Sequence, residues 1–324
     1  MTPAAVRVVF MGSPAFAVPS LHALVEAGYK VVAVVTQPDR PAGRGGSIRA
    51  AEVKVAALAL GLTVVQPEKL RDEVVQAELR GFEPDVIVVA AYGKILPKAV
   101  LELPTRGSLN IHGSLLPRWR GASPIAAAIL AGDEETGVSI MEMVAKMDAG
   151  PVVLRRSLQV RDNDTTGTLE ARLADLGAHA LVEALPGWYD RETMPEAQDE
   201  GLATYCQLLT KENGHLSRDM TAIEAERAVR AYDPWPGAYV LYEGHRLAIW
   251  RARRPHPPAP SPDFAGEGER APGALMVVSR EPAIAFRDGL LVLEEVQREG
   301  GRRLSGRDFL NGLRGNVTER VELA

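Results

Sequence analysis

Val86-Ile87-Val88-Val89-Ala90-Ala91 is an unbroken apolar run, short and rich in β-branched residues. A strand of that kind is buried on both faces, which is the condition of a parallel sheet covered by helices. Working outward, similar runs occur at Val6 to Met11, Val31 to Val35 and Leu62 to Val65, separated by amphipathic stretches such as Leu21 to Ala27. The alternation predicts an α/β domain built on a doubly wound, mostly parallel sheet. Further strands are expected at Ser108 to Ile111 and Val138 to Met143, then a hairpin-like return around Val152 to Val160 and a helix from Thr168 to about Tyr189.

The Pro-, Glu-, Asp- and Gly-containing stretch Thr193 to Gly201 lacks periodicity and reads as a connection. The expected division is 1–190, a linker at 191–206, and 207–324. Beyond the linker, a helix near Thr221 to Ala231 precedes short runs at Ala238 to Tyr242, Arg246 to Ala252, Leu275 to Val278 and Gly289 to Leu293. Short strands with frequent turns predict a small β-barrel or sandwich. Arg254 to Gly273, crowded with Pro and Gly, reads as a surface loop of that domain.

Length and composition bound the function. The 324 residues, 46% hydrophobic, suffice for two cores. The single cysteine, Cys206, cannot form an internal disulfide, and no Cys/His spacing fits zinc, so a reducing cytosol and no metal are expected. Apolar stretches are all broken well before 18 residues, so no membrane span is expected. The formal charge of -5 gives no global attraction to a polyanion, and any nucleic-acid contact must use local basic patches.

Gly12 in Met11-Gly12-Ser13-Pro14 reads as the tight turn from strand to helix, because G-x-G-x-x-G is absent. The Gly43-Arg44-Gly45-Gly46 glycines lack the Lys-Ser/Thr ending of a phosphate loop. A nicotinamide-dependent dehydrogenase is disfavoured on both counts.

The sharpest constellation is Leu109-Asn110-Ile111-His112-Gly113-Ser114-Leu115-Leu116-Pro117-Arg118-Trp119-Arg120-Gly121. Strand period two puts Asn110 and His112 on one face at a carboxyl strand end, where ligands bind in open parallel sheets. Gly113 lets the backbone turn sharply, and Ser114 to Pro117 combine backbone polar groups with apolar side chains, a wall suited to a flat amphipathic heterocycle. Asp148 follows the next strand and could reach the same edge to orient the imidazole. Read singly, Asn110 is a turn cap, His112 a satisfied core histidine, and Asp148 before Ala-Gly-Pro a turn former.

Residues 110 to 121 with Asp148 resemble the signature of the folate-dependent formyltransferases. Val8 to Phe16, Gln37 to Gly45, Tyr92 to Pro97, Thr136-Gly137-Val138 and Pro234 to Ala238 narrow the resemblance to the methionyl-tRNA formyltransferases and extend it over most of the chain. The resemblance implies a Rossmann-like formyltransferase domain followed by a barrel of oligonucleotide-binding (OB) type. It implies 10-formyltetrahydrofolate as formyl donor and initiator methionyl-tRNA as acceptor. Asn110, His112 and Asp148 would surround the formyl group; Ser114, Leu115, Leu116, Pro117, Tyr92 and Ile95 would meet the folate. Arg40 and Arg44, in a Gly/Pro-rich loop, would touch tRNA phosphates, as would Arg302 and Arg303 within the cluster Arg298, Arg302, Arg303, Arg307 and Arg314; a solvated loop and a charged surface are the competing readings. A monomer is expected. This chain has fewer lysines after Gly45 than the family and an unusual Tyr205 to Leu209. Other formyltransferases, acting on an amino sugar or glycinamide ribonucleotide, share the Asn/His/Asp core, and a tRNA-binding protein that has lost catalysis is opposed by its intactness.

Overall fold

A computed structural model describes residues 2–42, 47–255, 271–313 and 320–324. The chain forms two compact units, one of Met1–Pro124, Glu135–Gln159 and Glu170–Cys206, the other of Ile125–Glu134, Val160–Leu169 and Gln207–Ala324.

The first unit is an α/β structure on a seven-stranded sheet. Its strands are β1 (Arg7–Gly12), β2 (Lys30–Val35), β3 (Val64–Val65), β4 (Val86–Ala90), β5 (Gly107–His112), β6 (Glu135–Glu142) and β7 (Val152–Gln159), in the spatial order β7-β6-β5-β4-β1-β2-β3. The five strands from β5 to β3 are parallel, and β6 and β7 add antiparallel at one edge. Every residue of β4 is buried, as its apolar run demands. Each fully buried Val or Ile there contributes about 1.5–3 kcal/mol. The crossovers carry α1 (Val18–Glu26), α2 (Glu52–Ala59), α3 (Glu73–Gly81) and the short α4 (Lys98–Leu101). Asp72 caps α3 by accepting from the Val74 amide. Gly12 ends β1 where a Cβ would come within 2.8 Å of the Ala90 carbonyl, so the tight turn expected there is one only glycine can make.

The second unit contains α5 (Pro124–Ala131) from Ile125 onward and the first turn of α6 (Thr166–Tyr189), whose later turns belong to the first unit. Its own sheet is antiparallel: β8 (Ala238–Tyr242), β9 (His245–Arg253), β10 (Leu275–Val278), β11 (Glu281–Ala285), β12 (Leu290–Arg298), β13 (Arg303–Ser305) and β14 (Val321–Glu322). The path runs β10-β11-β12-β9-β8-β14, with β13 on β12. The two ends of the path meet, since the Val321 amide donates to the Gly273 carbonyl at 2.9 Å and Ala274 bridges Arg320. Closure removes the unpaired edges that an open sheet would expose. Burial alternates residue by residue along β8, with Ala238, Val240 and Tyr242 inward. Helix α7 (Ala222–Ala231) starts in a Thr221/Glu224 capping box, and α8 (Gly306–Gly312) starts on the Ser305 side chain.

Three elements of this unit, β11, β13 and β14, have no counterpart in the sequence reading. Pro282 disguises β11, and its neighbours supply the pairing that isolated propensity does not. The expected loop at 254–273 lies mostly outside the described residues.

Candidate active site

Strand β5 places the two polar side chains of the central motif on one face. Asn110 is in register between Val89 and Met141, and His112 is paired with Ser139. Beyond His112 the chain turns back through residues 113–119, and His112 Nε2 donates to the Trp119 carbonyl at 2.9 Å. That bond fixes the ring, which is buried, and turns Nδ1 toward Asp148 Oδ1 at 3.8 Å. The distance exceeds a hydrogen bond, so a gap separates the two groups.

The neighbouring strand does not bring Asp148 there by its end. Because β6 runs antiparallel to β5, it finishes beside Leu109, and the loop 143–151 must fold back to reach His112. Asp148 sits in that loop with φ of 49°, in the left-handed region that an aspartate tolerates better than most residues. Its Oδ2 accepts from the Gly121 amide at 2.9 Å, which leaves Oδ1 to face the imidazole.

The turn 114–117 is rigid and largely self-satisfied. Ser114 Oγ donates to the Arg118 carbonyl at 2.6 Å, so this hydroxyl closes the turn. Ser139 Oγ accepts from the Leu116 amide and donates to the Ser114 carbonyl, while Arg155 Nε donates to the Leu116 carbonyl. Leu116 is buried, whereas Leu115 and Pro117 are half-buried. The surface this turn offers is therefore mainly the Leu115 side chain and the Pro117 ring.

Tyr92 and Ile95 behave differently from one another. Ile95 is 79% exposed, an apolar side chain left open to a ligand. The Tyr92 ring lies in the core cluster with Val9, Val35, Val89 and Leu96, and its carbonyl accepts from Gln37 Nε2 at 2.8 Å. Its buried hydroxyl has no hydrogen-bond partner among the described residues, and burial pushes its pKa up to about 12. Tyr92→Phe is expected to leave stability unchanged or raise it by about 1 kcal/mol at neutral pH, since it removes an unmatched polar atom. The unfolded tyrosine releases its proton near 10, below the folded group, so the native chain loses stability as pH rises from about 10 toward 12. Urea titrations at pH 7 and pH 11 check both effects, and the alkaline loss should shrink in the phenylalanine variant.

Of the expected phosphate-binding arginines, Arg40 is exposed at the start of a short strand pair, Arg40–Ala42 with Ser47–Arg49. The approach to it is anchored: Asp39 accepts from Lys54 Nζ and Gln66 Nε2, contacts that hold its carboxyl below the usual range. Arg44 and Arg314 lie outside the described residues. In the second unit, Arg302 and Arg307 are exposed. Arg303 lies 3.9 Å over the Trp250 ring with Nη1 3.2 Å from Glu295, while Arg298 packs on Tyr242 and Phe309. Among the described arginines of the cluster, Arg303 is thus partly neutralised and Arg298 is structural.

Sequence reasoning missed Ser139, the Trp119 carbonyl, Arg120 and Gln198. Arg120 was inside the quoted motif without a role; Gln198 fell in the stretch read as a connection, where nothing marks it. In the structure that stretch belongs to the first unit: Glu196 bridges Val152, and Tyr205–Cys206 pairs in parallel with Arg120–Gly121. Among the described residues no His/Cys/Asp/Glu group could hold a metal ion, and no helix is long and apolar enough to cross a membrane.

Comparison with known proteins places the chain in a family. The family model for formyl transferase matches residues 6–185, and that for the formyl transferase C-terminal domain matches residues 208–314. The methionyl-tRNA formyltransferase of Methylococcus capsulatus is 46% identical over 307 residues, covering 94% of this chain and 96% of that one. The Thiobacillus denitrificans enzyme of the same name is 48% identical over 309 residues, with coverages of 94% and 96%. Among solved structures, an N-formyltransferase from Helicobacter canadensis, in complex with folinic acid and dTDP-3-aminofucose, has a TM-score of 0.65 at 16% identity, covering 90% of this chain and 99% of that one. HypX from Aquifex aeolicus, in complex with tetrahydrofolic acid, has a TM-score of 0.63 at 18% identity, covering 97% of this chain and 48% of that one. At such identities the solved structures speak for the fold alone. By its family match and its near full-length likeness to curated relatives, the chain belongs to the formyl transferase family, among the methionyl-tRNA formyltransferases.

Proposed function

We propose that this chain transfers the formyl group of 10-formyltetrahydrofolate to the amino group of methionyl initiator tRNA. The observation that carries the chemistry is the His112 ring, locked through Nε2 on the Trp119 carbonyl and facing Asp148 Oδ1 across 3.8 Å, on the strand face that also bears Asn110.

The folate supplies an activated formyl carbon. Attack by a neutral amine puts negative charge on the formyl oxygen, and fixed donors around that oxygen are usually the largest catalytic contribution, about 3–4 kcal/mol for one donor removed. Asn110 donates through its amide, and His112 through a proton on Nδ1, the nitrogen that its other hydrogen bond leaves directed into the gap. Asp148, held by the Gly121 amide, takes the proton shed by the amine, directly or through a water, and passes it toward the departing nitrogen. An α-amino group with a reference pKa of about 7.7–8.0 is partly neutral near pH 7, so a metal is not required to activate it.

For the folate ring, the exposed Ile95 and the Leu115–Pro117 surface supply apolar contacts. Tyr92 acts there through its backbone, and Ser114 and Leu116 act by holding the turn. Arg40 and Arg44 on one unit and Arg302 and Arg303 on the other supply phosphate contacts for tRNA.

Incubation with 10-formyltetrahydrofolate and methionyl initiator tRNA should yield formylmethionyl-tRNA. Failure there, with turnover of an amino sugar nucleotide or glycinamide ribonucleotide, would assign the protein to another acceptor. Arg40→Ala should raise the KM for tRNA several-fold and lower the salt dependence of binding by about one unit of slope, with small-amine formylation unchanged. An unaltered slope rules out a phosphate contact at that position.

A further inference from the structure

Asp148 occupies an energetically unfavourable backbone conformation in a loop that has to double back on its own strand, so something outside the loop must hold it. A left-handed non-glycine residue costs on the order of 1–3 kcal/mol and persists only where its surroundings enforce it. The enforcing contacts come from a segment whose sequence gives no hint of function. Gln198 Nε2 donates to the Asp148 carbonyl at 2.8 Å and to the Gly150 carbonyl at 2.7 Å, spanning the turn. Gln198 Oε1 accepts from Arg120 Nε at 3.0 Å. Two carbonyls on one end and a guanidinium on the other leave a single orientation for the amide.

Arg120 in turn is the largest fully buried side chain among the described residues. Its Nη1 lies 3.0 Å from Glu200 Oε1 and 3.3 Å from the Tyr205 hydroxyl, and Glu200 Oε2 is 2.8 Å from Lys146 Nζ, within the same loop as Asp148. Nη2 is unmatched among the described residues, so this cation depends on Gln198 and Glu200 for its compensation. The next peptide group, the Gly121 amide, holds the Asp148 carboxylate itself. One dipeptide thus grips Asp148 twice: through the side-chain relay Arg120–Gln198 on its backbone, and through Gly121 on its carboxylate.

We infer that Gln198 and Arg120 are positioning residues for the transfer step, setting the separation of Asp148 from His112 and so the geometry in which the proton leaves the amine. The inference rests on the assignment of Asp148 to the reaction made above. Arg120 is buried and the Gln198 amide is taken up by its bonds to Asp148, Gly150 and Arg120, so the loss of the clamp is expected to act on the rate of the bound complex and not on binding. Displacements of about 1 Å at a reacting group cost up to about 10²-fold in rate.

Gln198→Glu is the discriminating variant. It keeps the size of the side chain and the oxygen that meets Arg120, so folding is retained, but it sets a carboxylate oxygen against two carbonyl oxygens. Single-turnover formylation of methionyl-tRNA by the Q198E enzyme should fall about 10- to 100-fold with the KM values for both substrates unchanged, and Q198A should fall similarly. In a D148N background the further effect of Q198E should be less than about twofold, because the group it positions is no longer there. A Q198E rate within twofold of the native one, or an undiminished Q198E effect on top of D148N, overturns the clamp while leaving Asp148 in place. A D148N enzyme at the native rate removes Asp148 from the reaction, and the clamp with it.

Discussion

Replacing His112 by alanine lowers formyl transfer by about 10²–10³ while the protein still folds. The ring has two separable duties. Its Nε2 closes the turn on the Trp119 carbonyl, and its Nδ1 faces the gap toward Asp148. Alanine abolishes both and leaves the part-buried Trp119 carbonyl only the long contact from Cys206 Sγ at 3.7 Å, a stability loss of about 1 kcal/mol. Two further substitutions divide the duties. The glutamine amide nitrogen falls near the place of Nε2, so His112→Gln should recover much of the stability with the rate still low. The asparagine nitrogen falls near Nδ1, so His112→Asn should show the reverse bias. Single-turnover rates with thermal unfolding of the same three variants provide the check. If the alanine variant turns over at near-native speed, His112 takes no part in the transfer.

Gly121→Ala produces a comparably large effect by a different route. Gly121 has φ of 121°, a conformation that L side chains rarely adopt, and a Cβ there would lie 2.1 Å from the Cys206 carbonyl oxygen. That atom is backbone and belongs to the strand pair Arg120–Gly121 with Tyr205–Cys206, so no side chain can swing aside to make room. The expected loss is at least about 3 kcal/mol, the sum of backbone strain and a forced separation of the two strands. Because the Gly121 amide also holds the Asp148 carboxylate, any folded fraction should form product slowly. Denaturant unfolding and rate measurements on one preparation test this together. Native stability and native rate would mean that the parallel pair is not present in solution.

The two substitutions mark where sequence reading succeeded and where it ran out. Parallel strands buried on both faces must be apolar throughout, so β1, β2, β4 and β5 were legible within a residue or two, and the period of two along β5 put Asn110 and His112 on a common face before any coordinates. In the second unit, β8, β9 and β10 were legible as short runs of β-forming residues in an antiparallel sheet, whereas β11, with its proline, and the short β13 and β14 exist only through their partners. The arginines of the 298–314 stretch were recognisable as charge, but their pairing with Glu295 and stacking on Trp250, Tyr242 and Phe309 were not.

Local pattern alone therefore determined the α/β architecture, the strand that carries the candidate site and the family resemblance, because strand burial and side-chain alternation depend on residues a few positions apart. Tertiary structure alone decided how Asp148 reaches His112, since β6 runs the other way and the carboxylate arrives on a returning loop. It alone made Gln198, 78 residues from Arg120, part of the site. Contacts between residues so distant in the chain are set by the three-dimensional path of the backbone, and a hydrogen bond that holds a loop in a strained turn leaves no periodic trace in the order of the amino acids.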